Sequence, residues 1–252
     1  VNANDLGDLS FGEGSLLDAS AGAWLKIDGK TLKGGKGGNI SLMGDVLFLA
    51  GELQSYGVLE SASKVGKGGT LTMQTNPDVQ IGGEQTTAAG ALLLGEDFFT
   101  RGGFSGYSVK SAQGELTVAD NASVAPRAYT RVVSSGGLAR QSGSDLAGFS
   151  EAEWLDKDHL TKAVRSTADL SLTAAYNLAV GNGASIDLDA LAALTLSAGN
   201  IDIEGDLSAP GGSITLKAGA SGGEYAPNVS VWLGSDASLS VAGIARTYRA
   251  GN

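Results

Sequence analysis

Four carboxylates come nearest to a chemical arrangement. Asp187 and Asp189 flank Leu188, and Asp202 and Glu204 flank Ile203. In an alternating strand the residues on either side of an apolar one share the opposite face, so all four are expected to point outward. On neighbouring strands they would form a short acidic ladder, able to hold a cation or to act as the acid and base of glycoside cleavage. No Arg or Lys lies within the same strands to bind an acidic sugar, and the plainer expectation is a solvated face that keeps the chain soluble.

Other chemistry is thinner. His159, between Asp158 and Leu160, is the single histidine, which excludes any site needing two imidazoles. No Gly-x-Ser-x-Gly nucleophile turn in a strand–turn–helix setting accompanies it. Gly29-Lys30-Thr31 resembles the end of a phosphate-binding loop, but Trp24 stands where the leading glycine is required. Gly34–Asn39 lacks the aspartate of a calcium-binding nonapeptide and has no tandem copy, so it is expected to be a corner loop. The triplets beginning at Asn121 and Asn228 fit glycosylation sequons and receive no role. Phe98, Phe99, Phe104 and Tyr107 are expected to serve packing. With no cysteine, disulfides and thiolate metal sites are excluded. No catalytic, cofactor-binding or metal-binding residue is assigned.

The elements that carry these residues follow from composition and repetition. The 252 residues include 39 glycines and only 4 prolines, a pairing that favours many tight turns over helices or stiff linkers. The net charge of −10 speaks against a nucleic-acid or anionic-membrane surface. The longest small-or-apolar run, Ala88–Gly95, is too short to span a bilayer, so no transmembrane segment is expected. Neither a basic nor a hydrophobic leader opens the chain, and Val1 is expected to begin a mature protein or an excised piece.

One unit, apolar-x-apolar-Gly-x-x-Ala-Ser-apolar-x-apolar, recurs at Leu178–Leu188 and Val231–Val241. Variant copies stand at Leu116–Pro126 and Leu9–Asp18. A second unit, two alternating strands joined by a Gly-Gly turn, runs over Ile201–Leu216; Leu25–Leu32 with Gly37–Leu42, and Leu47–Met73, read as looser copies. Leu170–Leu172, Leu194–Leu196 and Ile214–Leu216 are equivalent strands. Such short strands need stacked neighbours to share a core. The expected fold is therefore all-β, a right-handed parallel β-helix forming a single domain over residues 1–252. At about 4.8 Å per lap, eight or nine laps would give a rod roughly 40 Å long. A sandwich of antiparallel hairpins is the competitor. From Asn76 to Arg165 only Leu116–Pro126 and Tyr107–Val109 read as lap strands, and residues 127–165 read as an excursion from the rod. Within it Ser150 and Glu153 fit a capping box, predicting a short helix over Phe149–Val164.

Leu92–Val109, followed by Gly114–Val118 and Val124–Arg127, resembles a region of the filamentous-haemagglutinin family of bacterial exoproteins. There a Phe-Phe-x-x-Gly-Gly-Phe-Ser-x-Tyr phrase precedes Gly-Leu-x-Val-Ala and Val-Ala-Pro. Gly205–Leu216 resembles the family's lap phrase, and the resemblance covers Gly34 to Val241. It implies secretion by the two-partner route, through an outer-membrane β-barrel transporter, and folding outside the cell as a right-handed β-helix. The family's Asn-Pro-Asn-Gly secretion motif is present only as the fragment Asn76–Asp78.

The expected function is that of a non-enzymatic stalk segment of a cell-surface adhesin, serving adhesion, aggregation or biofilm. Its expected partners are host-cell or bacterial surface glycans or proteins, or matrix polysaccharide. The alternative is a polysaccharide lyase or hydrolase on the same scaffold, using the outward carboxylates.

Overall fold

A computed structural model describes residues 6–61, 64–84, 90–134, 136, 139, 143, 145–155, 165–219 and 229–243. The described chain is all-β, and its principal sheets are parallel. The first sheet contains, in spatial order, Ile40–Met43, Thr70–Thr75, Gly106–Ser111, Asp169–Ala174, Ala193–Ala198 and Ser213–Ala218. The second contains Leu92–Leu94, Val79–Ile81, Leu116–Val118, Asn177–Val180, Asn200–Ile203 and Val231–Leu233. The third contains Ser123–Val124, Ser185–Asp187, Asp206–Ser208 and Ser238–Ser240. From Asp169 onward the chain visits first, second and third sheet in that order three times over. Towards the N-terminus Leu9–Phe11 lies parallel to Leu47–Leu49, and Leu16–Asp18 parallel to Glu52–Gln54.

Register puts like residues on like. In the first sheet Leu42, Met73, Val109, Leu172, Leu196 and Leu216 are successive partners, and beside them run Ile40, Leu71, Tyr107, Leu170, Leu194 and Ile214. A one-residue slip would turn every one of these side chains out to water, so burial fixes the pairing. In the second sheet Ile81, Val118, Val180 and Ile203 form a matching buried row. The outward positions of the first sheet carry Ser41, Thr72, Ser108, Ser171, Thr195 and Thr215 instead.

The repeated unit explains the corner between the second and third sheets. Three copies close it with the same turn, in which the amides of Ala122, Ala184 and Ala237 donate to the carbonyls of Ala119, Gly181 and Gly234, and the Leu9–Asp18 copy makes the same turn between its own two strands, from Ser15 to Gly12. Gly14, Asn121 and Gly183 take positive φ there (76°, 59° and 67°), a conformation that glycine and asparagine tolerate. The alanine of the unit turns inward, and Ala122 and Ala184 are fully buried.

At another corner glycine is needed for closeness. A Cβ on Gly69 would lie 1.8 Å from the Gly38 carbonyl oxygen, and one on Gly68 equally close to that of Gly103. Ser55, wholly buried among them, donates from Oγ to the Gly38 carbonyl at 2.5 Å and accepts from the Gly69 amide at 2.9 Å.

Several expectations need correction. Leu25–Leu32 is not a lap: Ala23–Leu25 and Leu32–Gly34 form an antiparallel hairpin, with Ile27 fully exposed at its tip. Asp28 closes that tip by accepting from the Thr31 hydroxyl and the Lys30 and Thr31 amides, local bonds that outcompete a lap. Val79–Ile81 and Leu92–Leu94, within the stretch expected to lack laps, do pair in parallel. Among the described residues the first and second sheets hold six strands each and the third holds four. In place of the expected helix, Leu146–Phe149 is one 3-10 turn capped by Asp145, and Ser150–Glu153 is a strand antiparallel to Thr130–Val133. Asp145 takes the capping role, and Ser150 donates back to the Leu146 carbonyl. Residues 156–164, with His159, lie outside the described residues.

Two tests follow. Leu196→Ala, which empties a fully buried position mid-column, is expected to lower stability by about 2–5 kcal/mol in urea unfolding, whereas Ile27→Ala should leave the transition unmoved. Hydrogen bonds from Lys33 and then Lys64 hold the Glu60 carboxyl at about 2, against an ordinary 4.5, and Thr31 and Lys30 hold Asp28 at about 2, against 3.8. Because both folded values are depressed, the stability they contribute is present above the unfolded values and fades as pH falls towards about 2. Carboxyl-carbon NMR titration should place both midpoints there, and Glu60→Gln should flatten part of the acid-side loss.

Candidate functional site

The features set apart from the repeating laps gather around the excursion. After Pro126 the chain leaves the third sheet, and Thr130–Val133 pairs on one edge with Gly57–Val58 and on the other with Ser150–Glu153. This ribbon is seated, since Thr130 and Arg131 are buried. Arg131 lies over the Tyr56 ring at 4.6 Å and donates to Ser150 Oγ and Gln54 Oε1, each at 3.3 Å. Burial pushes the Tyr56 phenol up, with the Arg131 charge opposing.

Beyond the ribbon, Trp154 lies between two arginines, Arg165 at 4.3 Å and Arg127 at 5.4 Å from the ring centroid. Each arginine also holds a carboxylate of the third-sheet strand and its following turn. Arg127 Nη2 reaches Asp187 Oδ2 at 3.2 Å, and Arg165 grips both oxygens of Asp189. A bidentate guanidinium–carboxylate pair adds direction as well as attraction. The Asp187 side chain is half exposed, whereas that of Asp189 is only 3% exposed, so the second pair is the one shielded from solvent. The Asp189 carboxylate also accepts the Ala190 amide at 2.8 Å. Leu155, beside the tryptophan, is buried.

Asp187 and Asp202 are exposed, as expected of a solvated face, and Glu204 is half-buried, but the four do not form an acidic ladder. Asp189 is buried in an ion pair instead of pointing into water. Asp187 stands opposite Ser208 in the third sheet, whereas Asp202 stands between Ala179 and Trp232 in the second. The four carboxylates are thus split between two faces. Among the described residues no three His, Cys, Asp or Glu side chains gather where a metal ion could be held. The missing cations were distant in sequence: Arg127 and Arg165 bracket the excursion and meet only when it folds back.

The aromatic residues serve packing, as expected. Phe99, Phe104 and Tyr107 belong to the core, with Tyr107 edge-on to Phe99 at 5.2 Å and to Phe104 at 5.7 Å. The Tyr107 hydroxyl donates to the Arg101 carbonyl at 3.0 Å, and burial pushes its phenol far up.

Two grooves border the ribbon. One, of about 660 Å³, is lined by Asp18, Trp24, Lys26, Arg131 and Asp145. The other, of about 620 Å³, is lined by Glu52, Gln54, Tyr56, Phe98, Arg101 and Tyr129. Both fall within the range of about 300–1,000 Å³ usual for small-ligand sites. Sequence reasoning missed their polar residues, whose one signal was the run of Arg127, Tyr129 and Arg131 at the start of the excursion. No helix among the described residues is long and apolar enough to cross a membrane. No family model, curated protein or solved structure matches the chain.

The clamp carries its own test. Arg165→Met should cost about 3–5 kcal/mol, since it strands a buried carboxylate, while Arg127→Met should cost no more than about 1 kcal/mol. Pairing Arg165→Met with Asp189→Leu should recover most of the loss in chemical denaturation.

Proposed function

We propose that this chain is a non-enzymatic stalk segment of a secreted bacterial adhesin, built as a right-handed parallel β-helix over residues 1–252 and presenting the excursion on its flank. The observation that carries this reading is the register of the first sheet, in which Leu42, Met73, Val109, Leu172, Leu196 and Leu216 follow one another as parallel partners. Stacking of this kind makes a stiff, quasi-one-dimensional body whose length scales with the number of laps. The outward row of the first sheet is Ser41, Thr72, Ser108, Ser171, Thr195 and Thr215, suited to presentation at a cell surface.

The resemblance of Leu92–Arg127 to filamentous-haemagglutinin-type exoproteins supports a place at the bacterial surface after export through an outer-membrane β-barrel partner. The absence of cysteine is compatible with passage as an unfolded chain. In this reading the stalk's partners are surface glycans or proteins, or matrix polysaccharide. The fold supplies spacing and stiffness, and the excursion with its two grooves supplies contact.

Small-angle scattering and cryo-electron microscopy of the purified chain should show an elongated particle with one strand of each sheet per lap. Beads coated with it should adhere to bacterial or host cells above an albumin control. A particle with strands wound in another order would overturn the stalk. Beads that fail to adhere would overturn the adhesin assignment, and turnover of a glycan panel lost in Asp202→Asn would replace it with an enzyme.

A further inference from the structure

The third face of the molecule is broken. Its two-stranded part, Leu16–Asp18 with Glu52–Gln54, does not pair with the four-stranded part that begins at Ser123–Val124. The 3-10 turn Glu96–Thr100 stands against Ser123–Val124 in place of a strand, with Phe99 buried from it. The 620 Å³ groove opens at this break.

Its lining combines two chemistries. Leu71, Phe104 and Tyr107 form a buried apolar floor, and Tyr56, Phe98 and Tyr129 are half-buried aromatic walls. Alongside lies a carboxylate–amide pair fixed in orientation: Gln54 Nε2 donates to Glu52 Oε2 at 3.1 Å, while Gln54 Oε1 accepts from Arg131 at 3.3 Å. Arg131 in turn is held over Tyr56 and by Ser150, so the excursion ribbon sets the pair in place. Arg101, the cation lining the groove, is already neutralised by Asp97.

A pyranose matches this lining. Its C–H face is apolar and slightly positive and packs on the electron-rich face of an aromatic ring. Its ring of hydroxyls both donates and accepts, which is what a carboxylate beside an amide recognises. Charge decides between sugar classes: the exposed Glu52 carboxylate and the chain's net charge of −10 repel a polyanion.

We propose that this groove binds an uncharged oligosaccharide, which names the ligand class of the adhesin reading and rests on it. The test uses the 252-residue chain in saturation-transfer NMR and calorimetry. Probes are cellotetraose, maltotetraose and triacetylchitotriose, with a heparin tetrasaccharide as the anionic arm. At least one neutral probe should bind, and Tyr129→Ala and Glu52→Gln should each weaken it about tenfold or more, equivalent to about 1.4 kcal/mol. Trp232→Ala, in the last strand of the second sheet, should bind as the parent does. Far-UV circular dichroism checks each variant, and should Tyr129→Ala unfold, the exposed Glu52→Gln decides alone. Failure of every neutral probe, binding of heparin only, or binding indifferent to both groove variants would overturn the proposal. A rod-shaped particle that binds no sugar would remove the groove assignment and leave the stalk standing.

Discussion

Strands of two to six residues cannot shield an apolar face by themselves; each is stable only because a strand of like geometry lies beside it. That mutual dependence governs the molecule. Parallel backbone pairing fixes the spacing between neighbours, burial fixes the phase, and together they force Leu over Leu and Thr over Thr. The corners are then constrained by what the stacking leaves room for. At Gly68 and Gly69 neighbouring backbones come so near that no side chain fits, and at Gly14, Asn121 and Gly183 the chain turns through a conformation that few residues accept. At Gly68 and Gly69 glycine is therefore a result of stacking.

The site depends on the same rule by breaking it. Where the third face lacks a strand, aromatic rings take over the interior, and the ribbon after Pro126 covers the flank. Long-range polar contacts concentrate here. Arg131 reaches back to Gln54 across 77 positions of chain, and Arg127 and Arg165 reach forward to Asp187 and Asp189. A groove at such a fault has walls from separate parts of the sequence, and these can change without disturbing the columns that define the scaffold.

This division also explains what could be read from the residues alone. The equivalence of Leu172, Leu196 and Leu216 was legible because period-two alternation and recurrent corners are local signals, and all three do stand in one column. The fates of Ser150–Glu153 and Leu25–Leu32 were not. A capping-box pattern and a Gly-containing alternating stretch are each compatible with two structures; distant Thr130–Val133 made the choice for the first, and the local Asp28 turn together with the distant Glu60–Lys33 pair made it for the second. Of the four carboxylates Asp187 and Asp202 do face outward, and Asp189 was misjudged for the same reason. Their spacing along the strand was visible, but which face each strand joined, and which arginine the excursion would return, was not.

The break between Glu52–Gln54 and Ser123–Val124 has a mechanical side. From Gly106 onward, drawing one level away from the next means rupturing three hydrogen-bond ladders at once. At the level of Glu96–Thr100 the third ladder is missing, and what bridges it is a few single bonds, such as Ser55 to Gly102 and Arg127 to Phe99, together with ring packing. Separation of neighbouring strands is therefore opposed by fewer backbone hydrogen bonds at this plane than where all three sheets are paired.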